Sequence, residues 1–154
     1  MRAMTRDELS RKLEELGMIL PEAAKPVANY VPSKVAGGLI YVSGQLPMSG
    51  GGLTTKGPVP SVVSVEEATK AARQCVLNGI AAALLVGEPT GVVRCGVFVQ
   101  SDDGFDGQPA VANGASDLLV GVFGDSGKHA RAAVGTNALP LGASVEVELI
   151  LTAA

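Results

Sequence analysis

The segment 64–100, SVEEATKAARQCVLNGIAAALLVGEPTGVVRCGVFVQ, changes period part-way along. Its first half repeats small and apolar side chains at helical spacing. Val65, Ala68, Ala72, Cys75, Ile80, Ala83 and Leu84 share one face. Ser64 and Glu67 have the spacing of a capping box, in which hydroxyl and carboxylate satisfy orphan N–H groups of the first turn. Gly87 and Pro89 stop the helix. From residue 92 to 100 the period becomes two. Val93, Cys95, Val97 and Val99 fall on one face, and Val92, Arg94, Gly96 and Phe98 on the other. Such a helix feeding such a strand predicts helix packed on sheet.

The flanking chain extends this unit. Residues 29–35 and 39–46 read as two strands joined at Gly37-Gly38, a hairpin signal. Residues 49–60, rich in glycine and proline, read as a long surface loop. Residues 108–123 form a second long helix with Val111, Leu118, Leu119 and Val122 inward, ended by Gly124. Residues 130–136 are a short extended segment broken by Leu139-Pro140. Residues 144–152 are a final strand, with Val145, Val147, Leu149 and Leu151 on one face and Glu146, Glu148 and Ile150 on the other. At the N-terminus, residues 5–17 form a short amphipathic helix started by a Thr5/Glu8 capping box. Its simplest role is an appendage on the main domain. The expectation is an α+β fold: a mixed sheet with two long helices on one face, residues 1–25 as a helical extension and 26–154 as the domain. The other sheet face carries Phe98, Ile150 and glycines, so it needs cover, and self-association is the simplest cover.

Composition narrows the function. A chain of 154 residues with 47% hydrophobic content fits one globular domain. Its formal charge of −3, scattered Lys and Arg and five aromatics without Trp argue against a nucleic-acid reader. The longest apolar run, 80–86, falls far short of the roughly 20 residues a membrane helix needs. No signal-peptide pattern opens the chain, so a cytoplasmic location is expected. Cys75 and Cys95 lack a CxxC partner or a nearby His, which disfavours zinc and thiol redox chemistry and leaves a single disulfide open.

Neither a phosphate-binding loop, nor HExxH, nor GxSxG occurs. The single histidine, His129, is expected to be exposed. Two features carry more information. Arg131 sits in the small-residue run Ala130-Arg131-Ala132-Ala133-Val134. Its planar fork suits bidentate capture of a carboxylate, and a structural ion pair with Asp or Glu is an equal alternative. Glu146 and Glu148 share a face of the last strand. Under a second subunit, one of them would be partly buried, with a raised pKa suited to proton transfer. Alternation does not choose between them.

Tyr30-Val31 with Gly38-Leu39-Ile40-Tyr41-Val42-Ser43-Gly44-Gln45-Leu46-Pro47 resembles the N-terminal signature of the RidA/YjgF family. Ala130–Val134 in numbering 130–134, then Leu139-Pro140 and Val145-Glu146-Val147-Glu148, resemble its C-terminal signature, with Phe98-Val99 and Asn113 in register. The resemblance covers about residues 26–152. It implies a chorismate-mutase-like fold, a homotrimer with sites between subunits, and hydrolysis of reactive 2-enamines and 2-imines to 2-keto acids and ammonia, with no metal or cofactor. It also implies roles: Arg131 for the substrate carboxylate, Glu146 for the attacking water, and Tyr30, Ser43, Gly44, Asn113 and Ala133 for the pocket. An imine carbon is already electrophilic, so orientation by Arg131 and a carboxylate holding water suffice chemically.

This chain departs from the family at His129, where Pro is common, and at Ala133, where Cys is common. Residues 1–25 and the loop 48–63 are also longer than in short members. These features point to a divergent subgroup. The other classes in play are a non-catalytic trimer that binds small carboxylates, and an endoribonuclease or translation inhibitor.

Overall fold

The computed structural model of the chain describes residues 2–25 and 28–154. The junction expected at residues 25 and 26 adjoins residues 26 and 27, which lie outside the described residues. The chain order is α1 (Arg6–Glu15), β1 (Ser33–Ala36), β2 (Leu39–Gln45), β3 (Met48–Ser49), β4 (Gly52–Leu53), α2 (Val65–Ala83), β5 (Pro89–Gln100), α3 (Gln108–Phe123), β6 (Ala130–Thr136) and β7 (Val145–Ala153). Five strands form one mixed sheet in the order β1-β2-β7-β5-β6. Only β5 and β6 run parallel, joined by the crossover through α3. The remaining neighbours are antiparallel.

Both capping boxes form. Glu67 N donates to Ser64 Oγ at 3.1 Å and Ser64 N donates to Glu67 Oε2 at 3.0 Å. Thr5 N donates to Glu8 Oε2 at 2.8 Å. The face of α2 that carries Ala68, Ala72, Cys75 and Ile80 is fully buried, as are Val145, Val147 and Leu151 of β7. α2 and α3 thus cover one sheet face with the chain's apolar half. Leu9 and Leu13 of α1 are also fully buried in this core. At roughly 1.5–3 kcal/mol for each such side chain, that is a large share of the ~5–15 kcal/mol stability of a typical domain. The N-terminal helix therefore belongs to the core it packs on.

Four expectations change. The first strand begins at Ser33, because residues 29–32 bend before they reach the sheet. Val93 does not share a face with Cys95. A bulge between Val92 and Arg94 inserts one residue, so Val92 turns inward and Val93 is left exposed. The segment 49–60 is not all surface loop: β3 and β4 make a small hairpin, and Val59 is fully buried beside Ser101. Finally, α2 ends at Ala83, and residues 84–86 form a turn rather than helix.

The uncovered sheet face displays Tyr41, Phe98, Val134 and Ile150 with Arg94, Glu146 and Glu148, as their register requires. Among the described residues, no helix is long and apolar enough to cross a membrane.

Candidate functional site

Arg131 is set by the parallel pairing of β6 with β5. It lies opposite Cys95, whose side chain points to the helices. Because β6 is the sheet edge, that direction carries Arg131 out beside α3 and not into the core. Asn113 and Ser116 stand one turn apart on α3 and meet it. Arg131 Nη1 donates to Asn113 Oδ1 at 2.9 Å and to Ser116 Oγ at 3.2 Å. These two bonds use both hydrogens of Nη1. Nε and Nη2, the side-on fork that grips carboxylates, have no partner among the described residues. Arg131 also takes part in none of the ion pairs found among the described residues. The structural ion pair weighed for it is thus not formed among the described residues.

His129 is not an exposed side chain as expected. It is half-buried, and both ring nitrogens are engaged: Nδ1 with Gly127 O at 2.6 Å and Nε2 with Ser116 Oγ at 2.9 Å. The residue lies two positions before Arg131, at the entry to β6, so the turn at 124–127 brings its ring back over α3.

Glu146 belongs to a different place. It is half-buried on the uncovered sheet face, above Gly44 of β2. A Cβ at residue 44 would collide with Glu146 Oε1, so glycine there makes room for the carboxylate. Glu148 lies over Gly96 in the same way, but is exposed. Burial raises the Glu146 pKa above the usual carboxylate value, and the like charge of Glu148 adds to the rise. Ser43 is tied to the segment before β1: its N–H donates to Pro32 O at 2.9 Å and its Oγ to Val31 O at 2.7 Å. Tyr30, just upstream, is exposed. Ala133 lies on the helix side of β6, half-buried and opposite Val97.

The residues therefore form two half-sites. Arg131, Asn113 and Ala133 stand on the helix side of the edge strand. Gly44 and Glu146 stand on the uncovered face, with Ser43 adjoining Gly44 in β2. Register separates them: Glu146 lies opposite Phe98, and Phe98 opposite Val134, three residues beyond Arg131 on the other face. One chain does not bring Arg131 to Glu146. Ser116 and the engaged His129 were missed in the sequence. The signal for Ser116 was its spacing of three from Asn113, which puts both on one helix face.

Both cysteines are free thiols, so the disulfide left open does not form. Burial pushes Cys95 up to about 12 and Cys75 also well upward, so neither is poised as a nucleophile. Among the described residues, no three His, Cys, Asp or Glu side chains converge as a metal site. A groove of about 520 Å³ runs between α1, α2 and residues 54–55, lined by Leu16, Thr55, Lys70, Arg73 and Leu77, and contains neither half-site.

Residues 21–153 match the family model described as endoribonuclease L-PSP. The chain belongs to this family, also called RidA/YjgF. It is 42% identical to protein TCP17 of Trypanosoma cruzi over 93% of this chain and 92% of that protein. Its structure is similar to that of Atu1372 from Agrobacterium tumefaciens, a protein of unknown function, with a TM-score of 0.88, 44% identity, and 96% and 94% of the two chains covered. A Shewanella oneidensis MR-1 protein provisionally called an endoribonuclease is similar at a TM-score of 0.88 and 30% identity, over 94% and 98% of the chains. The fold is the chorismate-mutase-like α+β fold of the RidA/YjgF family.

Proposed function

We propose that this RidA/YjgF member hydrolyses reactive 2-enamines and 2-imines of small amino acids to 2-keto acids and ammonia, at sites between the subunits of a homotrimer. The observation that carries this reading is the Arg131 fork, braced at Nη1 and open at Nε and Nη2. A 2-imino acid offers one fixed charge, its carboxylate, and such a fork matches it.

The two half-sites support the interfacial placement. Each holds part of what the reaction needs, and they face different directions on one chain. The uncovered face with Tyr41, Phe98 and Ile150, and the unprotected edge β6 with its small residues, are surfaces that a second copy would cover. In the complete site, Arg131 holds the carboxylate and sets the imine carbon beside Glu146. Glu146, as a carboxylate, takes a proton from water as its oxygen bonds to that carbon. That proton passes to nitrogen, giving an amino alcohol; its hydroxyl proton then follows through Glu146 to the same nitrogen as the carbonyl forms and the C–N bond breaks with release of ammonia. A raised Glu146 pKa makes its carboxylate a stronger base toward that water.

The test generates 2-aminoacrylate and 2-aminocrotonate in place with a PLP-dependent dehydratase and follows keto-acid release. Acceleration over the spontaneous rate is expected, together with a trimer mass by light scattering. Carboxylate binding without acceleration identifies a non-catalytic binding protein. Cleavage of single-stranded RNA at physiological salt identifies the nuclease activity for which the family is named, against which the net charge of −3 weighs.

A further inference from the structure

The polar side chains behind Arg131 form a chain whose hydrogens can be assigned. Gly127 O can only accept, so His129 Nδ1 carries a hydrogen and donates to it at 2.6 Å. In the neutral ring, Nε2 is then an acceptor and takes the Ser116 hydroxyl hydrogen across 2.9 Å. That commits the only hydrogen of Ser116 and leaves its oxygen lone pairs for Arg131 Nη1 at 3.2 Å. Asn113 Oδ1 accepts the other Nη1 hydrogen at 2.9 Å.

Without His129, the Ser116 hydroxyl is free to rotate. Its hydrogen can then face the guanidinium, where it repels instead of accepting. With His129, Nη1 has two acceptors fixed on one helix face, and the plane of the fork is set. Asn113 is exposed, whereas Ser116 and His129 are half-buried, so this second brace is the better shielded from water.

We infer that Ser116 and His129 are positioning residues for Arg131: His129 orients the Ser116 hydroxyl, and the oriented oxygen holds Nη1 so that the Nε–Nη2 edge presents a fixed fork to a small carboxylate. This rests on the reading of Arg131 as the carboxylate anchor. Neither residue touches the ligand. His129 acts only through Ser116, so the two effects do not add.

The experiment measures the dissociation constant of 2-oxobutanoate, KM and kcat for 2-aminocrotonate, and Tm, on the intact protein. The variants are Arg131→Ala, Ser116→Ala, Ser116→Thr, His129→Asn and the Ser116→Ala/His129→Asn double. His129→Asn keeps a donor for Gly127 O but has nothing at the Nε2 position. Ser116→Ala and His129→Asn are each expected to weaken 2-oxobutanoate binding roughly 3- to 10-fold, the size of one hydrogen bond. The loss should fall more on KM than on kcat. The double should equal the single variants, and Ser116→Thr, which keeps the hydroxyl, should restore most of the affinity. A role confined to folding would lower Tm and leave the affinity of the folded fraction unchanged, and that result overturns the inference. Additive losses in the double overturn the relay. If Arg131→Ala abolishes binding while Ser116→Ala and His129→Asn bind as wild type, the anchor stands and the positioning inference falls. If Arg131→Ala also binds as wild type, both fall. Where Ser116→Ala does not fold, His129→Asn and Ser116→Thr decide the matter.

Discussion

Around Arg131 the chain supplies hydrogen bonds, whereas around Glu146 it takes side chains away. The guanidinium is exposed and gripped through Nη1 by Asn113 and Ser116. Glu146 lies over a glycine, half-buried, with burial as the main perturbation of its pKa. The difference fits the role proposed for each charge. A cation that reads a carboxylate needs a fixed direction, and hydrogen bonds provide it. A carboxylate that passes protons needs partial desolvation and room for water, and acceptors crowded around it would work against both. The two half-sites are also built with different reach. The first is complete within β6 and α3, while the second becomes a closed site only when something covers the sheet.

The sharpest break of this comparison is Arg131→Ala. Loss of a charge-assisted bidentate contact of ~2–4 kcal/mol should weaken carboxylate binding and kcat/KM roughly 30- to 1000-fold. Arg131→Lys should recover only part, since it keeps the charge without the fork. Because Arg131 makes no ion pair among the described residues, Tm should move little; a large fall in Tm or loss of the proposed trimer would return Arg131 to a structural role.

Glu146→Gln should lower kcat by about 100-fold, within the usual range for a general acid–base group, with 2-oxobutanoate binding retained. Equal losses from Glu148→Gln would show that the two glutamates had been assigned in the wrong order. Next comes Gly44→Ala, which the backbone tolerates but the Glu146 carboxylate does not. Since a displacement of ~1 Å can cost on the order of 100-fold, a loss of roughly 10-fold or more in kcat is expected, with little change in Tm because the end of Glu146 can move aside.

The smallest effects concern pH. A raised Glu146 pKa means that activity fails on the acid side at a higher pH than an ordinary Glu would set. Glu148→Gln removes a like charge, so the acid limb of the kcat profile should shift to lower pH. Stability carries the opposite sign to a salt-bridged carboxylate. The folded state holds the Glu146 proton more tightly than the unfolded chain does. Its charge therefore disfavours folding above the folded-state pKa, and that penalty disappears as pH falls below the unfolded value. Glu146→Gln should raise Tm slightly at neutral pH and lose the advantage in acid. An unchanged Tm difference across that window would show that the carboxylate is not desolvated.

Much of this was readable along the chain. Capping boxes at Thr5 and Ser64, the turn at Gly37-Gly38 and the alternation of β7 are local: they depend on spacings of two to four residues and on what each side chain can do beside its own backbone. Arg131, Asn113, Gly44 and Glu146 could be named through the resemblance, because their motifs are short and contiguous. What could not be read depended on residues far apart in the chain. The Val92/Arg94 bulge leaves composition untouched while it moves Val93 to another face. The side on which Arg131 emerges follows from parallel register with β5 and from β6 being an edge. Glu146 has its space because β2 pairs with β7, and Ser116 meets His129 because a turn folds residues 124–127 back over α3. Periodicity is a property of a segment, but a pairing register or a hydrogen-bond relay is a property of two segments, so it exists only once the chain has closed on itself.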